Sequence, residues 1–315
     1  MTGAVTMKKI LTITLNPAFD LHYGMDKFEA EKENYVTSLL CDAGGKGINI
    51  SRALSVNGID NCAYVILGSD NGDRFERLLK ADNINYVALY TDGSVRENIT
   101  IHPENDKETR ISLDNFSISQ NELDSLCEIL LGVVNRDTLI SFSGRIPRGV
   151  EKSSVIDFLK KLASTGARIA VDSNSFSFDE LKLIKPWFIK PNEQEISTMS
   201  GHNISTHKEA IELAKELVTM GVAEEVMISL GALGSVLATK DAAYTVSVPN
   251  IRPLSTIGAG DSTVAGYMAG TAEGRPIPER LRLAAAFGSA ACLTEGTRPP
   301  MPDDVASLYQ KVIVS

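Results

Sequence analysis

Short apolar runs alternate with segments of helical periodicity along most of this 315-residue chain. Apolar residues recur at helical spacing from 155 to 163 and from 210 to 218, and Ser119-x-x-Glu122 and Thr206-x-x-Glu209 have the form of helix-opening capping boxes. This alternation predicts an α/β fold with a mostly parallel central sheet and helices on both faces, in which ligands bind at the carboxyl ends of the strands. The predicted strands are Ile10–Ile13, Tyr64–Leu67, Leu139–Phe142, Ile169–Val171, Trp187–Ile189 and Val226–Leu230.

Two stretches, 20–43 and 91–116, interrupt this alternation. They lack helical periodicity and contain short β-like pieces, Asn98–His102 and Arg110–Leu113. Together they predict a small β appendage over one edge of the sheet, with irregular surface loops as the alternative. Residues 1–6 are interpreted as an N-terminal extension, so the expected single α/β domain spans 7–315, with the appendage inserted in it.

The amino-acid composition excludes several classes of binding partner for this protein. A formal net charge of −9 argues against non-specific binding to nucleic acid or to acidic membranes. The four cysteines and four histidines have no zinc-site spacing, and no apolar run approaches the ~20 residues that span a bilayer. We therefore expect a cytoplasmic protein with reduced thiols that holds anionic ligands through local cations and backbone amides.

A glycine turn that becomes a helix, Thr256–Ser262, carries the clearest chemical signal. The N–H groups of Gly258, Ala259 and Gly260 precede a helix N-terminus, and this arrangement forms an anion-binding site. Asp261 stands beside it, where a carboxylate can orient an acceptor hydroxyl and take its proton during phosphoryl transfer from a nucleotide. The helix end predicts a low pKa for Asp261. The competing interpretation is an ordinary first-turn aspartate that stabilises the helix dipole.

Two segments near the N-terminus are candidates for ligand binding, one for hydroxyl groups and one for an anion. Asp20 follows the first predicted strand, where a carboxylate accepts hydrogen bonds from hydroxyls, unless it merely forms a turn. In Gly44-Gly45-Lys46-Gly47-x-Asn49, glycines allow close backbone approach to an anion, Lys46 supplies a point charge, and Asn49 faces the same spot one turn later. A solvated lysine in a glycine loop is the alternative, and the order of residues fits neither Walker A nor the dinucleotide fingerprint.

Three arginines are candidates for binding a substrate phosphate. Arg96 lies in the predicted appendage, while Arg145 and Arg148 follow the strand that ends at Phe142. A planar guanidinium pairs well with phosphate. The ordinary fate of a single arginine is nevertheless a solvated surface.

The motifs in the later third of the chain predict a nucleotide-binding site. Asn192 and Glu195 are spaced to hold a hydrated Mg²⁺ and a phosphate, or simply to form a capping box. Ser229 to Gly234 form a glycine turn after a strand, which either lies against a ribose and its phosphates or joins a hairpin.

Taken in order, these motifs closely resemble the PfkB branch of the ribokinase-like carbohydrate kinases, over about residues 9–310. Within that branch they are most similar to the 1-phosphofructokinases, with the tagatose-6-phosphate kinases as the alternative. The resemblance implies ATP and Mg²⁺ as cofactors, fructose 1-phosphate as the acceptor that becomes fructose 1,6-bisphosphate, and a small β lid that often forms a homodimer. The motifs that carry it are Asn16-Pro17-x-x-Asp20, Gly44-Gly45-Lys46-Gly47-x-Asn49, Lys190-Pro191-Asn192-x-x-Glu195, Ser229-Leu230-Gly231-x-x-Gly234 and Gly258-x-Gly260-Asp261.

The resemblance also implies residue roles. Asp261 matches the catalytic base, with Gly258, Ala259 and Gly260 as the anion hole. The implied substrate residues are Asp20, Gly44, Gly45, Lys46, Asn49 and Arg96, of which Lys46 and Arg96 would bind the substrate phosphate. The implied nucleotide residues are Lys190, Asn192, Ser229, Gly231, Gly234, Gly258, Gly260, Gly288 and Ser289, with Glu195 reaching the metal through water.

One segment departs from the family pattern. The chain has Gly144-Arg145-Ile146-Pro147-Arg148-Gly149 where the family commonly has Gly-Ser-Leu/Ile-Pro-x-Gly. A long cation thus replaces a small hydroxyl near the expected substrate cleft, which leaves the identity of the sugar phosphate open. Three other interpretations remain: a kinase of an unphosphorylated sugar or nucleoside, a nicotinamide dehydrogenase, and a catalytically inactive sugar-phosphate sensor. The missing glycine fingerprint after the first strand argues against the dehydrogenase.

Overall fold

A computed structural model describes residues 8–104 and 107–315. The expected extension 1–6, together with Met7, lies outside the described residues. In the described part of the chain, ten strands form a large sheet with the order β14-β13-β12-β11-β10-β9-β8-β1-β4-β5. These strands are β1 (Lys9–Thr14), β4 (Asn61–Gly68), β5 (Tyr86–Thr91), β8 (Thr138–Ser143), β9 (Arg168–Asp172), β10 (Phe188–Ile189), β11 (Glu225–Ser229), β12 (Ser235–Ala238), β13 (Ala243–Ser247) and β14 (Ile313–Val314).

The sheet is parallel from β11 to β5 and antiparallel from β11 to β14. All six strands that the sequence predicts lie in its parallel part, so the mostly parallel sheet is confirmed. Two buried apolar clusters flank it, as the alternation of β1 illustrates: Ile10 belongs to one cluster, while Leu11 and Ile13 belong to the other. Helices therefore cover both faces, as predicted.

The helices follow the predicted periodicity. Ser119 and Thr206 each form the predicted capping box, in which the side chain of the N-cap residue and the glutamate three residues later satisfy each other's backbone N–H groups. The helices are α1 (Lys46–Val56), α2 (Gly72–Ala81), α3 (Gln120–Leu131), α4 (Lys152–Ala163), α5 (Phe178–Ile184), α6 (Glu193–Ser200), α7 (His207–Thr219), α8 (Ala259–Ala272), α9 (Ile277–Ala291) and α10 (Pro302–Tyr309). None of the described helices is long and apolar enough to cross a membrane.

The two stretches that interrupt the alternation of strands and helices in the sequence form a second, small sheet. It has the strand order β3-β2-β6-β7, with β2 (Ala18–Met25), β3 (Ser38–Gly44), β6 (Arg96–Pro103) and β7 (Thr109–Ser112). The predicted β appendage is therefore confirmed over the alternative of irregular loops. The buried ring of Phe19 in β2 packs edge-on against Phe75 of α2 at 5.2 Å, which fixes the base of the small sheet on the core.

Candidate active site

A cleft of about 1450 Å³ opens at the carboxyl ends of the parallel strands. Its wall brings together residues that lie far apart in the sequence, including every residue predicted to bind the nucleotide. Lys46 and Asp261 line it as well. The predicted residues in its wall are Lys190, Asn192, Glu195, Ser229, Gly231, Gly234, Gly258, Ala259, Gly260, Gly288 and Ser289.

The predicted anion hole lies at the start of α8. Gly258 is the N-cap residue and has φ +76°, a left-handed conformation that glycine adopts without strain. The N–H of Ala259 points back to the carbonyl of Thr256 at 3.4 Å. The N–H groups of Gly260 and Asp261 belong to the first helical turn and have no intrahelical acceptor, which makes them the donors available to an anion.

Asp261 is buried, with 7% of its surface exposed. Its Oδ2 accepts a hydrogen bond of 2.8 Å from Asn49 Nδ2. Burial raises the pKa of Asp261 from 3.8 to about 6, although the ammonium group of Lys46 opposes this. The low pKa expected from the sequence is therefore wrong, because the loss of water around the carboxylate outweighs the helix end.

A second buried carboxylate, Asp172, lies at the end of β9 and is 4% exposed. Its two oxygens contact Lys46 Nζ at 3.2 Å and Lys190 Nζ at 3.8 Å. Burial alone would raise the pKa of Asp172, but the two ammonium groups lower it below its usual value. The same carboxylate and those of Asp261 and Glu195 raise the pKa of Lys46 despite its burial. Asp172 is not among the predicted site residues, although its place directly after the predicted strand Ile169–Val171 is a usable signal.

Arg52 holds the side chain of Asn49 in one orientation. Arg52 is not among the site residues predicted from the sequence. Arg52 Nη1 donates to Asn49 Oδ1 at 3.0 Å, and Arg52 Nε donates to Asp82 Oδ2 at 2.8 Å. Its Nη2 donates to the carbonyl of Ala43. Because the amide oxygen of Asn49 is engaged by a cation, its NH₂ group is the end that faces Asp261.

The predicted substrate residues of the small sheet form a separate chain of hydrogen bonds. Asn98 Nδ2 donates to Asp20 Oδ1 at 2.8 Å, and Arg96 Nη1 donates to Asn98 Oδ1 at 2.7 Å. Arg96 Nε donates to Asn16 Oδ1 at 2.7 Å. Burial raises the pKa of Asp20, while the hydrogen bond from Asn98 opposes the shift. The sequence predicts neither Asn98 nor Asn16 as a site residue, although Asn16 opens the motif Asn16-Pro17-x-x-Asp20.

The two parts of the site meet at the glycine turn before α1. A Cβ atom on Gly44 would lie 2.1 Å from Asp20 Oδ2, so only glycine allows the strand β3 to pass this carboxylate. Gly45 and Lys46 follow directly, and Lys46 points into the cleft wall. Lys46 and Asp261 line the cleft, whereas Asp20, Gly44, Gly45, Asn49 and Arg96 do not. Asn49 is connected to the cleft by its hydrogen bond to Asp261, and Gly44 and Gly45 by their place directly before Lys46.

Asn192 and Glu195 form the capping box that was the alternative interpretation. Asn192 Oδ1 accepts from the N–H of Glu195 at 2.8 Å, and Glu195 Oε2 accepts from the N–H of Asn192 at 2.9 Å. The other oxygen, Oε1, lies 4.0 Å from Lys46 Nζ. Among the described residues, no group of three or more histidine, cysteine or acidic side chains converges as a metal site would require.

Comparison with known proteins gives this site its context. Residues 11–304 match the pfkB family carbohydrate kinases. The chain belongs to this family. It is therefore a phosphotransferase with an alcohol group as acceptor, and the family implies ATP as the phosphate donor.

The similar proteins are sugar-phosphate kinases. Tagatose-6-phosphate kinase of Staphylococcus epidermidis is 29% identical over 97% of this chain and 99% of its own. 1-Phosphofructokinase of Escherichia coli K12 is 30% identical over 90% of this chain and 91% of its own. The structure of phosphofructokinase-2 from Escherichia coli in complex with fructose-6-phosphate has a TM-score of 0.90 and 26% identity, and the match covers 97% and 99% of the two chains.

The unequal environments of the two buried carboxylates predict opposite effects on stability. The pKa of Asp261 is about 6 in the folded state and 3.8 in the unfolded state. Above pH 6 the ionised carboxylate therefore lowers the free energy of unfolding. This destabilisation disappears as the pH falls from 6 to 3.8. Asp261→Asn is expected to raise the free energy of unfolding at pH 8 by on the order of 2–3 kcal/mol. Chemical denaturation at pH 8 and pH 5 measures this.

Asp172→Asn is the matched control. The pKa of Asp172 is lowered in the fold, so its ionised form adds stability above its usual pKa and that stability is lost only in acid. This variant should therefore lower the free energy of unfolding at pH 8. If both substitutions lower the free energy of unfolding at pH 8 equally, ionisation of Asp261 does not destabilise the folded state.

Proposed function

We propose that this protein transfers the γ-phosphate of ATP to a primary hydroxyl of a hexose phosphate. One observation carries the proposal: the Asp261 carboxylate lines the large cleft and also accepts a hydrogen bond from Asn49, which connects it to the glycine turn beside Asp20. A single carboxylate thus borders both the expected donor and the expected acceptor. This arrangement suits in-line transfer, in which positioning and charge neutralisation supply most of the catalysis.

Fructose 1-phosphate is the proposed acceptor, with fructose 1,6-bisphosphate as the product. The similarity to 1-phosphofructokinase supports it. Tagatose 6-phosphate is the second candidate, because a kinase named for that sugar matches a larger share of the chain. Both acceptors carry a phosphate, which the cations beside the cleft can neutralise.

Asp261 is the proposed general base. A pKa of about 6 leaves it ionised at pH 7 yet more basic than an ordinary aspartate, which favours proton transfer from the hydroxyl. In the turn Gly258-Ala259-Gly260, the N–H group of Gly260, together with that of Asp261 and the helix end, is proposed to hold the developing charge. Lys46 and Lys190, both beside Asp172, bring positive charge to the same place.

Glu195 is proposed to hold Mg²⁺ through water. One of its carboxylate oxygens is occupied by the capping box, and the other, Oε1, lies 4.0 Å from Lys46 Nζ in the wall of the cleft. A single carboxylate with waters and nucleotide phosphates suits Mg²⁺, which keeps much of its hydration shell. When bound, the metal neutralises charge on the phosphates of the nucleotide.

The remaining predicted residues are divided between the two ligands. Asp20 and Asn49 are proposed to bind sugar hydroxyls, and Arg96 the phosphate that the sugar carries. Gly44 and Gly45 provide close backbone approach. Asn192, Ser229, Gly231, Gly234, Gly288 and Ser289 are proposed to contact the nucleotide, since all six line the cleft.

The small sheet is proposed to form a homodimer. Leu39 of β3 is 61% exposed, and the strand register puts it on the same face as Ile111 of β7, which is also exposed. Tyr35, just before β3, is 74% exposed. Exposed apolar side chains clustered on one face of a sheet are typical of an association surface.

An ADP-release assay over a panel of acceptors tests the substrate. Fructose 1-phosphate, tagatose 6-phosphate, fructose 6-phosphate and fructose are compared at equal concentration with ATP and Mg²⁺. We expect the highest kcat/KM with fructose 1-phosphate and a value at least about 100-fold lower with fructose, because the unphosphorylated sugar leaves the cations unpaired. Faster turnover of fructose than of every phosphorylated sugar would contradict the proposed function.

The base role of Asp261 is tested by kinetics. Asp261→Asn should lower kcat by about 10²–10⁴-fold while changing the KM of either substrate far less, because the effect lies in the transition state. In the wild type, kcat/KM should fall as the pH drops through about 6. Retention of more than about a tenth of the wild-type kcat would remove Asp261 from this role.

The dimer is tested by sedimentation velocity. Leu39→Glu is expected to shift the protein from twice the mass of the chain to the mass of one chain, because it buries a charge in the association surface. Leu183→Glu is the control, since Leu183 is similarly exposed on α5, outside the small sheet. A wild-type protein that sediments as a monomer at micromolar concentration would exclude the dimer.

A further inference from the structure

Arg110 is a cation in the cleft wall to which the proposed mechanism gives no role. It lies in β7 of the small sheet, yet it lines the same cleft as all the predicted nucleotide residues. The small-sheet residues Asp20, Arg96 and Asn98 do not line this cleft. Among the described residues of the small sheet, Arg110 alone therefore reaches the side of the site where the nucleotide is expected.

The strand register explains this difference between Arg110 and the residues proposed to bind the sugar. Arg110 pairs with Thr100 of β6, and Thr100 pairs with His22 of β2. The three side chains therefore form one row on the same face of the small sheet. Asp20 and Asn98 form the neighbouring row on that face, two residues further back along β2 and β6.

The loop after α9 connects the row of Arg110 to the anion-binding turn. A Cβ atom on Gly296 would lie 3.2 Å from His22 Cε1, so this loop packs against the row. The next residue, Thr297, packs against the turn, because a Cβ atom on Gly258 would lie 3.9 Å from its Cα. The row therefore extends to the part of the site that is proposed to bind the phosphates of the nucleotide.

Arg110 is held beside the cleft by an exposed ion pair. Its Nη2 lies 3.4 Å from Glu108 Oε2, and the two side chains are 55% and 45% exposed. Within the described ranges 8–104 and 107–315, the guanidinium makes no other hydrogen bond. An ion pair this exposed is weak, and most of the N–H donors of the guanidinium remain available. Arg110 can therefore bind an anion without giving up a strong partner.

Glu108 is itself fixed by a pair of histidines. His102 Nδ1 lies 3.0 Å from Glu108 Oε1, and His102 Nε2 lies 2.9 Å from Nδ1 of the buried His22. The two imidazole rings are stacked, with centroids 5.1 Å apart. One oxygen of Glu108 thus contacts His102 while the other contacts Arg110, which keeps the guanidinium at the cleft before a nucleotide binds.

We propose that Arg110 binds the phosphate groups of the nucleotide from the side of the small sheet. The proposal rests on the proposed function and adds a small-sheet residue to its donor site. A planar guanidinium pairs with phosphate oxygens through two N–H groups at once. The lysines of the cleft wall, Lys46 and Lys190, both contact the buried Asp172, which offsets part of their charge. Arg110 supplies further positive charge to the same cleft.

Calorimetric titration of ATP and of adenosine, with Mg²⁺ and without a sugar, tests the contact. Arg110→Gln should raise the Kd of ATP about tenfold, because a charged hydrogen bond to phosphate is lost. The Kd of adenosine should stay within about twofold, because adenosine carries no phosphate. Arg110→Lys should recover part of the loss, since it restores the charge without the planar fork.

Arg148→Gln is the matched control. Arg148 is also an exposed arginine with one carboxylate partner, Asp114 at 3.1 Å, but it does not line the cleft. This variant should leave the Kd of ATP within about twofold. High salt should reduce the difference between the wild type and Arg110→Gln, because it screens the charge of the guanidinium.

Two results would overturn the proposal. Equal Kd values of ATP for the wild type and Arg110→Gln would show that Arg110 does not contact the nucleotide. An equal loss for ATP and adenosine would show that Arg110 supports the shape of the cleft rather than the phosphates. If only the Kd of ATP rises while no hexose phosphate is phosphorylated, the contact of Arg110 stands and the proposed function fails.

Discussion

The site depends on how two buried carboxylates, Asp172 and Asp261, are placed relative to the buried ammonium group of Lys190 and the half-buried one of Lys46. Asp172 contacts both Lys46 and Lys190, and its pKa is lowered. Asp261 receives a hydrogen bond from Asn49 but no contact ion pair from either lysine within the described residues, and its pKa is raised. Two aspartates in one cleft thus have different proton affinities. Such a separation of proton affinities is what the proposed base role of Asp261 requires, with Asp172 pairing with the cations.

The contrast arises from the parallel sheet. Asp172 ends β9, Lys190 follows β10, and Lys46 and Asp261 begin the helices α1 and α8. Carboxyl ends of strands and N-termini of helices meet at one edge of such a sheet, so positive helix ends and charged side chains converge there. The small sheet contributes the hydrogen-bonded residues Asp20, Asn98 and Arg96, and Asp20 lies against Gly44. The cleft at the large sheet and the hydrogen-bonded residues of the small sheet are therefore built by separate sheets and joined by the glycine turn before α1.

Much of this arrangement was predictable because each part has a local cause. Buried strands are short apolar runs, capping boxes open helices at Ser119 and Thr206, and glycine turns precede α1 and α8. The small sheet was predicted from two stretches that lack helical periodicity and contain short β-like pieces. Residues outside a motif were harder to find: Asp172 resembles any strand-terminal residue, and Asn98 and Arg52 contribute by contacts to residues far away in the sequence.

The sequence by itself determined the parallel α/β architecture, the place of the anion-binding turns and the membership of a kinase family, because these depend on neighbouring residues and on spacing. Only the tertiary structure decided the ionisation of Asp261, the pairing of Lys46 with Asp172, and the hydrogen bonds of Arg96 to Asn16 and Asn98. Each of these depends on how much water remains around a charge and on which groups lie beside it in the fold. A carboxylate at a helix end is acidic if solvated and basic if buried. Spacing along the chain does not distinguish the two.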